Sequence, residues 1–172
     1  MELLIPGLIL VALMVYASTK IKKSAARAYE PELIETDEFF ILKPEEFINP
    51  LNDERKFAFI AYSKEFGMGA AENIRQASAR IRVFDDVDFD VICERVKQSV
   101  TNIISEMPTV SGGSQTCLIE ARGEENGVPI EKYYKIVSGD SKIYNLEISV
   151  LLEHKHDYLR RIKDLVESFA VK

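Results

Sequence analysis

Tryptophan is absent from this chain, and cysteine and histidine occur only twice each. Two cysteines in 172 residues exclude a disulfide-stapled scaffold. The two histidines, His154 and His156, are too few for the His-rich sets that build most catalytic metal centres. An excess of positive charge is lacking as well. The 22 Lys and Arg face 28 Asp and Glu, giving a formal net charge of −6, which argues against a nucleic-acid binder. There is no internal repeat and no low-complexity tract. What remains is an ordinary globular composition, 47% hydrophobic and 29% charged, in a length that suits one domain.

One apolar run stands out. Leu3 to Thr19 (LLIPGLILVALMVYAST) carries no charge and has the short-end length of a spanning helix. Pro6 falls in the first turn, where a missing N–H is harmless, and Tyr16 sits where an interfacial aromatic belongs. The positive charges Lys20, Lys22, Lys23 and Arg27 follow the run, whereas only Glu2 precedes it. A cleaved signal peptide would want the positive charges first, although Val15-Tyr16-Ala17 is an acceptable cleavage site. The expectation is a retained transmembrane helix over residues 1–19, a basic flank and linker over 20–37, and a domain over 38–172. The positive-inside rule puts that domain in the cytoplasm. The alternative is export after cleavage near Ala17.

The domain reads as strands with two helices. Phe39–Leu42, Lys56–Ser63 and residues 74–84 have strand character, with Pro50-Leu51-Asn52-Asp53 as a turn and Gly67-Met68-Gly69 as a break. From Asp85 onward, Phe89, Ile92, Cys93, Val96, Val100, Ile103, Ile104 and Met107 form one stripe at helical spacing, which predicts a long helix ending before Pro108. Cys117–Arg122, Glu131–Val137 and Lys142–Leu152 predict an antiparallel meander, with Glu125-Asn126-Gly127 and Ser138–Ser141 as its turns. In the third of these strands, Tyr144, Leu146, Ile148 and Val150 share one face, and Asn145, Glu147 and Ser149 the other. A helix over about residues 156–169 closes the chain. The order β-β-β-α-β-β-β-α predicts an α+β fold: an antiparallel sheet of about six strands covered by two long helices.

This pattern resembles the PsbP-like family. The resemblance rests on Phe39-Phe40-Ile41-Leu42-Lys43-Pro44-Glu45-Glu46-Phe47, on Tyr133-Tyr134-Lys135-Ile136 with Ile143–Leu152, and on the closing Ile162–Val171 with its Ser168-Phe169-Ala170-Val171 end. It covers about residues 39–172. Glu45-Glu46-Phe47 departs from the family's commoner Pro-Gly-aromatic turn. The resemblance implies an α/β/α sandwich that acts by binding other proteins, without catalysis. It brings no binding residue with it.

Local clusters carry little chemistry. Asp86, Asp88 and Asp90 have the spacing that opens an EF-hand, but Val91 and Lys97 stand where Gly and Glu are needed. They read as the acidic start of a helix. His154 and His156, flanked by Glu153 and Asp157, lack a third ligand and read as a solvated corner. Cys93 and Cys117 read as buried free thiols. Ser111-Gly112-Gly113-Ser114 lacks the Lys of a phosphate loop and reads as a connector. Arg75, Arg80 and Arg82 form a basic strip on a strand and are the candidate interaction surface. No catalytic constellation, metal site or cofactor is expected. The expected function is a non-catalytic binding or assembly module. Its partners are the lipid bilayer, through residues 3–19, and a protein of a membrane complex. The alternative is a small-ligand-binding protein or an enzyme of another kind.

Overall fold

The computed structural model describes residues 4–50, 57–111 and 113–172, without the side chains of residues 4–6, 8 and 111. Helix α1 (Leu4–Ala28) runs unbroken through the apolar segment and its basic flank. The side chains of Ile9, Leu10, Val11, Leu13, Met14 and Val15 are all exposed on it. Among the described residues, no helix is long and apolar enough to cross a membrane. The expected span over residues 3–19 is therefore not established by the structure, and Leu3 and the first apolar side chains lie outside the described ones.

Strands β1 (Glu32–Glu35) and β2 (Phe39–Lys43) follow as a hairpin, closed by the Thr36 hydroxyl, which accepts the Phe39 N–H at 3.0 Å. Then come β3 (Phe47–Ile48), β4 (Phe59–Ser63), β5 (Ala77–Asp85), α2 (Phe89–Gln98), β6 (Asn102–Ser111), β7 (Ser114–Glu125), β8 (Val128–Ser138), β9 (Lys142–Leu151), α3 (Lys155–Ser168) and β10 (Ala170–Val171). Seven strands form one sheet in the order β3-β4-β5-β9-β8-β7-β6, antiparallel throughout. The other three form a small sheet, β1-β2-β10.

The large sheet is buried from both sides. On one face, Ala61, Ala79, Ile81, Leu146 and Ile148 pack against Tyr158, Ile162 and Leu165 of α3 and against Phe39 and Ile41 of the small sheet. On the other, Ile119, Tyr134 and Ile136 pack against Ile92, Cys93 and Val96 of α2. The sandwich implied by the resemblance is present, but its helices are not two long ones. α2 has 10 residues and α3 has 14.

The largest departure from expectation is at residues 99–111. The helix stops at Gln98, and Ile103, Ile104 and Met107 belong to β6. Ser99 ends the helix, its hydroxyl donating to the Val96 carbonyl at 2.7 Å. Beyond it, the β-branched Val100, Thr101, Ile103 and Ile104 disfavour another helical turn, and from Asn102 the chain pairs with β7 instead, with an irregularity at Ile104. Pro108 is tolerated because β6 is a sheet edge. The Ser111–Ser114 segment is consequently a hairpin turn between β6 and β7, with Gly113 at φ 88°; Gly112 lies outside the described residues. The tally of about six strands rises to ten for three reasons: β6, the short β3 and β10, and the pairing of Glu32–Glu35. Of the turn expected over Pro50-Leu51-Asn52-Asp53, residues 51–53 lie outside the described residues. Asn126 and Gly127, at φ 52° and 79°, make the expected hairpin between β7 and β8.

Two lysines, Lys43 buried and Lys135 half-buried, close the ends of helices. Lys43 Nζ donates to the carbonyls of Ala28 (2.8 Å), Glu30 (2.7 Å) and Phe47 (3.1 Å), which ties the end of α1 to the domain. Lys135 Nζ donates to Val166 and Phe169 at 2.7 Å each, at the end of α3. Burial lowers the pKa of both.

Glu131 of β8 joins the sheet to the start of α3. It is fully buried and accepts a hydrogen bond from the Tyr133 hydroxyl (2.5 Å). It also pairs with Lys155 and, at 3.3 Å, with Arg122. Burial alone would push its carboxyl up, but the hydrogen bonds from Lys155, Tyr133 and Arg122 outweigh it and hold the pKa at about 2, below the usual 4.5. A carboxyl depressed in the folded state stabilises fully above pH 4.5 and loses that contribution as the pH falls toward 2. Glu131→Gln is expected to cost on the order of 3 kcal/mol at pH 7 and to flatten the acid limb of the stability curve; urea unfolding across that window checks both. A second prediction concerns Gly67, where an added Cβ would lie 2.4 Å from Ala71 Cβ and 2.7 Å from Leu151 Cδ1. Thermal unfolding of Gly67→Ala is expected to show a loss of about 1–3 kcal/mol.

Candidate interaction site

Alternation along β5 divides the predicted basic strip. Ala77, Ala79 and Ile81 point into the core, so Ser78, Arg80 and Arg82 take the opposite face. Cross-strand register then sets their neighbours on β9: Arg80 lies opposite Glu147, and Arg82 opposite Asn145. Arg80 grips Glu147 with two hydrogen bonds, Nε to Oε2 at 3.0 Å and Nη2 to Oε1 at 2.7 Å. Lys132 of β8 adds a third at 3.3 Å. Burial would raise the Glu147 carboxyl, but Arg80 and Lys132 hold it below the usual carboxylate range. The Phe57 ring lies 5.4 Å from the Arg80 guanidinium carbon and 5.2 Å from that of Arg82.

Arg75 stands apart from this pair. Its guanidinium donates to the carbonyls of Ser63 (3.1 Å) and Lys64 (3.0 Å) and stacks on Phe66, 3.8 Å from the ring centre. It holds the chain that enters β5, and the three arginines do not form one surface.

Helix α2 crosses the sheet beside Arg80 and Arg82 and leaves a cleft of about 210 Å³. Arg80, Arg82, Lys132, Tyr134, Asn145 and Glu147 form its floor, and Ile92, Arg95, Val96 and Ser99 its wall. Burial, reinforced by the nearby Glu147 charge, pushes the Tyr134 phenol well above its usual range. Asn145 is buried, and its Oδ1 has no hydrogen-bond partner among the described residues. Sequence reasoning placed Asn145 and Glu147 on the polar face of their strand. It did not find Arg95, Lys132 or Tyr134, because the β5-β9-β8 order that assembles them is a tertiary fact.

The remaining candidates have structural positions. Asp88 is the residue before α2, Asp90 lies in its first turn, and Asp86 adopts a positive φ of 54°. Cys93 and Cys117 are free and buried in one core cluster, and burial pushes the Cys93 thiol up to about 12. His154 Nδ1 lies 3.5 Å from Asp157, while His156 is exposed. Among the described residues, no three His, Cys, Asp or Glu side chains converge as a metal site. Lys20, Lys22, Lys23 and Arg27 are exposed along the last three turns of α1, and Arg27 stands in the final turn, where the helix dipole favours a cation.

No protein-family model matches the chain, and no curated protein matches it significantly. Solved structures do. LpqN of Mycobacterium tuberculosis, described as involved in cell envelope biogenesis, matches with a TM-score of 0.60 at 9% identity, over 83% of this chain and 91% of LpqN. The cyanobacterial PsbP of Synechocystis, CyanoP, gives 0.56 at 10% identity, over 84% of this chain and 94% of CyanoP. The Saccharomyces cerevisiae Ran-binding protein Mog1p gives 0.52 at 14% identity, over 83% of this chain and 96% of Mog1p. At such identities the likeness establishes the fold alone, and that fold is the one shared by PsbP and Mog1p.

Proposed function

We propose that this chain is a non-catalytic binding or assembly module, anchored through its N-terminal helix and working at a membrane surface beside a membrane protein complex. The carrying observation is α1. Its large apolar side chains from Ile9 to Tyr16 are 56–66% exposed, with nothing among the described residues covering them. A bare apolar helix of this kind is favourable in lipid and unfavourable in water. The basic residues after it, Lys20 to Arg27, suit the anionic cytoplasmic leaflet, which supports a domain on that side and an N-terminus outside. Lys43 supports the same reading, because it fixes the end of the helix to the domain and so holds the domain close to the surface. The binding role draws on Mog1p, a Ran-binding protein with the same fold.

Cell fractionation with alkaline carbonate tests the anchor. The intact chain, with Met1 retained, is expected in the membrane pellet. Val11→Arg combined with Met14→Arg is expected to release it, since each arginine at mid-membrane costs about 3 kcal/mol. Carbonate release of the unaltered chain, or a mature protein beginning at Ser18, overturns the anchored reading. Topology is read from Met68→Cys, introduced after Cys93 and Cys117 are replaced. Protection of this exposed position from an impermeant thiol reagent in intact cells, with labelling after lysis, is the expected result.

A further inference from the structure

We propose that the cleft between α2 and the β5-β9-β8 floor is a binding site for a small organic carboxylate that also carries a hydrogen-bond donor. The inference stands independently of the membrane reading. Its volume of about 210 Å³ equals roughly seven waters at ~30 Å³ each, which is room for one compact acid or for the end of a larger molecule.

The charges point to an anion. Four cations, Arg80, Arg82, Arg95 and Lys132, surround a single carboxylate, Glu147. Arg80 and Lys132 are committed to Glu147. Arg82 and Arg95 form no ion pair among the described residues, although one comes from the sheet and the other from the helix facing it. Both are exposed and solvated, and two like charges on one cleft favour an anion between them.

Asn145 supplies the second half of the recognition. It is 4% exposed, lies opposite Arg82 in the sheet, and its Oδ1 has no partner. A buried acceptor left unmatched pays its desolvation with no hydrogen bond in return. Oδ1 lacks a donor, and Arg82 and Arg95 offer donors to an acceptor. One ligand satisfies all three when a carboxylate and a hydroxyl or N–H lie a bond or two apart, as in a hydroxy acid or an N-acyl amino acid. Phe84, Ile92 and Val96 offer apolar wall to its carbon atoms. Glu147 at the floor disfavours a dianion such as phosphate.

The test titrates the isotopically labelled full chain, held in detergent micelles, with N-acetylglycine, acetate and inorganic phosphate, and follows the backbone and Asn145 amide signals. N-acetylglycine is expected to give saturable shifts with a Kd below about 1 mM, with acetate and phosphate at least about tenfold weaker, a difference of ~1.4 kcal/mol. Arg82→Gln and Arg95→Gln are each expected to weaken N-acetylglycine by about tenfold or more, while Arg160→Gln on α3 leaves it unchanged. Both altered arginines are exposed, so the variants should fold, and their unfolding transitions verify it. Asn145→Ala is expected to erase the preference for N-acetylglycine over acetate. A pentapeptide with a free C-terminal glycine, compared with its amide, separates a partner's chain end from a free acid: tighter binding than N-acetylglycine assigns the chain end. Absence of saturable shifts, phosphate binding as tightly as N-acetylglycine, or unchanged binding by both arginine variants overturns the proposal.

Discussion

The width of the large sheet is the constraint from which most of this structure follows. Seven strands about 4.8 Å apart span roughly 29 Å, while a helix with its side chains covers about 10 Å. One helix cannot bury a face of that size. On one face, α3 shares the task with the small β1-β2-β10 sheet, and a continuous apolar core results. On the other, α2 works alone with 10 residues, over the β7-β8-β9 side. The part of that face over β5 and β9 is left beside the helix and half open. Apolar side chains there would form an exposed patch, so the positions carry Ser78, Arg80, Arg82, Asn145, Glu147 and Ser149 instead. The cleft arises from this mismatch between a wide sheet and a short helix.

Polar groups elsewhere in the interior are placed to finish helices and corners. Lys43 and Lys135 each bring an ammonium to carbonyls that a helix end leaves without partners. A lysine suits the task because it donates three hydrogen bonds from one atom, and Lys43 uses all three. The strained corner nearby has a similar logic. Glu46 sits at φ 67°, the left-handed conformation that favours glycine, and an ion pair between its carboxylate and Arg161 holds it there. Its N–H reaches the Tyr29 carbonyl at 2.7 Å, so the exit of α1 and the first corner of the domain are fastened at the same point.

Much of this fold is legible in the residues. The Asn126-Gly127 turn, the alternation of Tyr144 through Val150, and the apolar stripe Tyr158–Ile162–Leu165 each fix an element by local chemistry alone. The stripe from Phe89 to Met107 misleads because two elements in series happen to continue one helical period. Ser99, whose hydroxyl caps the preceding turn, is the local sign that the helix stops, and all of the next five residues favour strand or turn. Glu32–Glu35 is too short and too acidic to announce itself, and becomes a strand only because β2 offers an edge. The site is legible by halves. Arg80 and Arg82 are visible as a pair on one strand face, as are Asn145 and Glu147 on another. That the two faces are the same face depends on β5 pairing with β9 across more than fifty intervening residues. Arg75, five residues before Arg80, leaves the group because it precedes the strand and serves the loop at Ser63 and Lys64.

Identity of 9–14% to LpqN, CyanoP and Mog1p shows how little of the sequence this architecture requires. Core positions need volume and alternation, which many side chains supply. The half-open face needs only polarity, and polarity can be met by residues that pair completely and leave nothing over. This chain does not do so. Arg80 and Lys132 both pair with Glu147, leaving one positive charge over, and beside them Arg82 and Arg95 form no ion pair and the Asn145 acceptor has no partner among the described residues. The exposed arginines are solvated on their own, but a buried acceptor is costly to leave unmatched, and its place beside two guanidinium groups on one small volume suits recognition of a ligand.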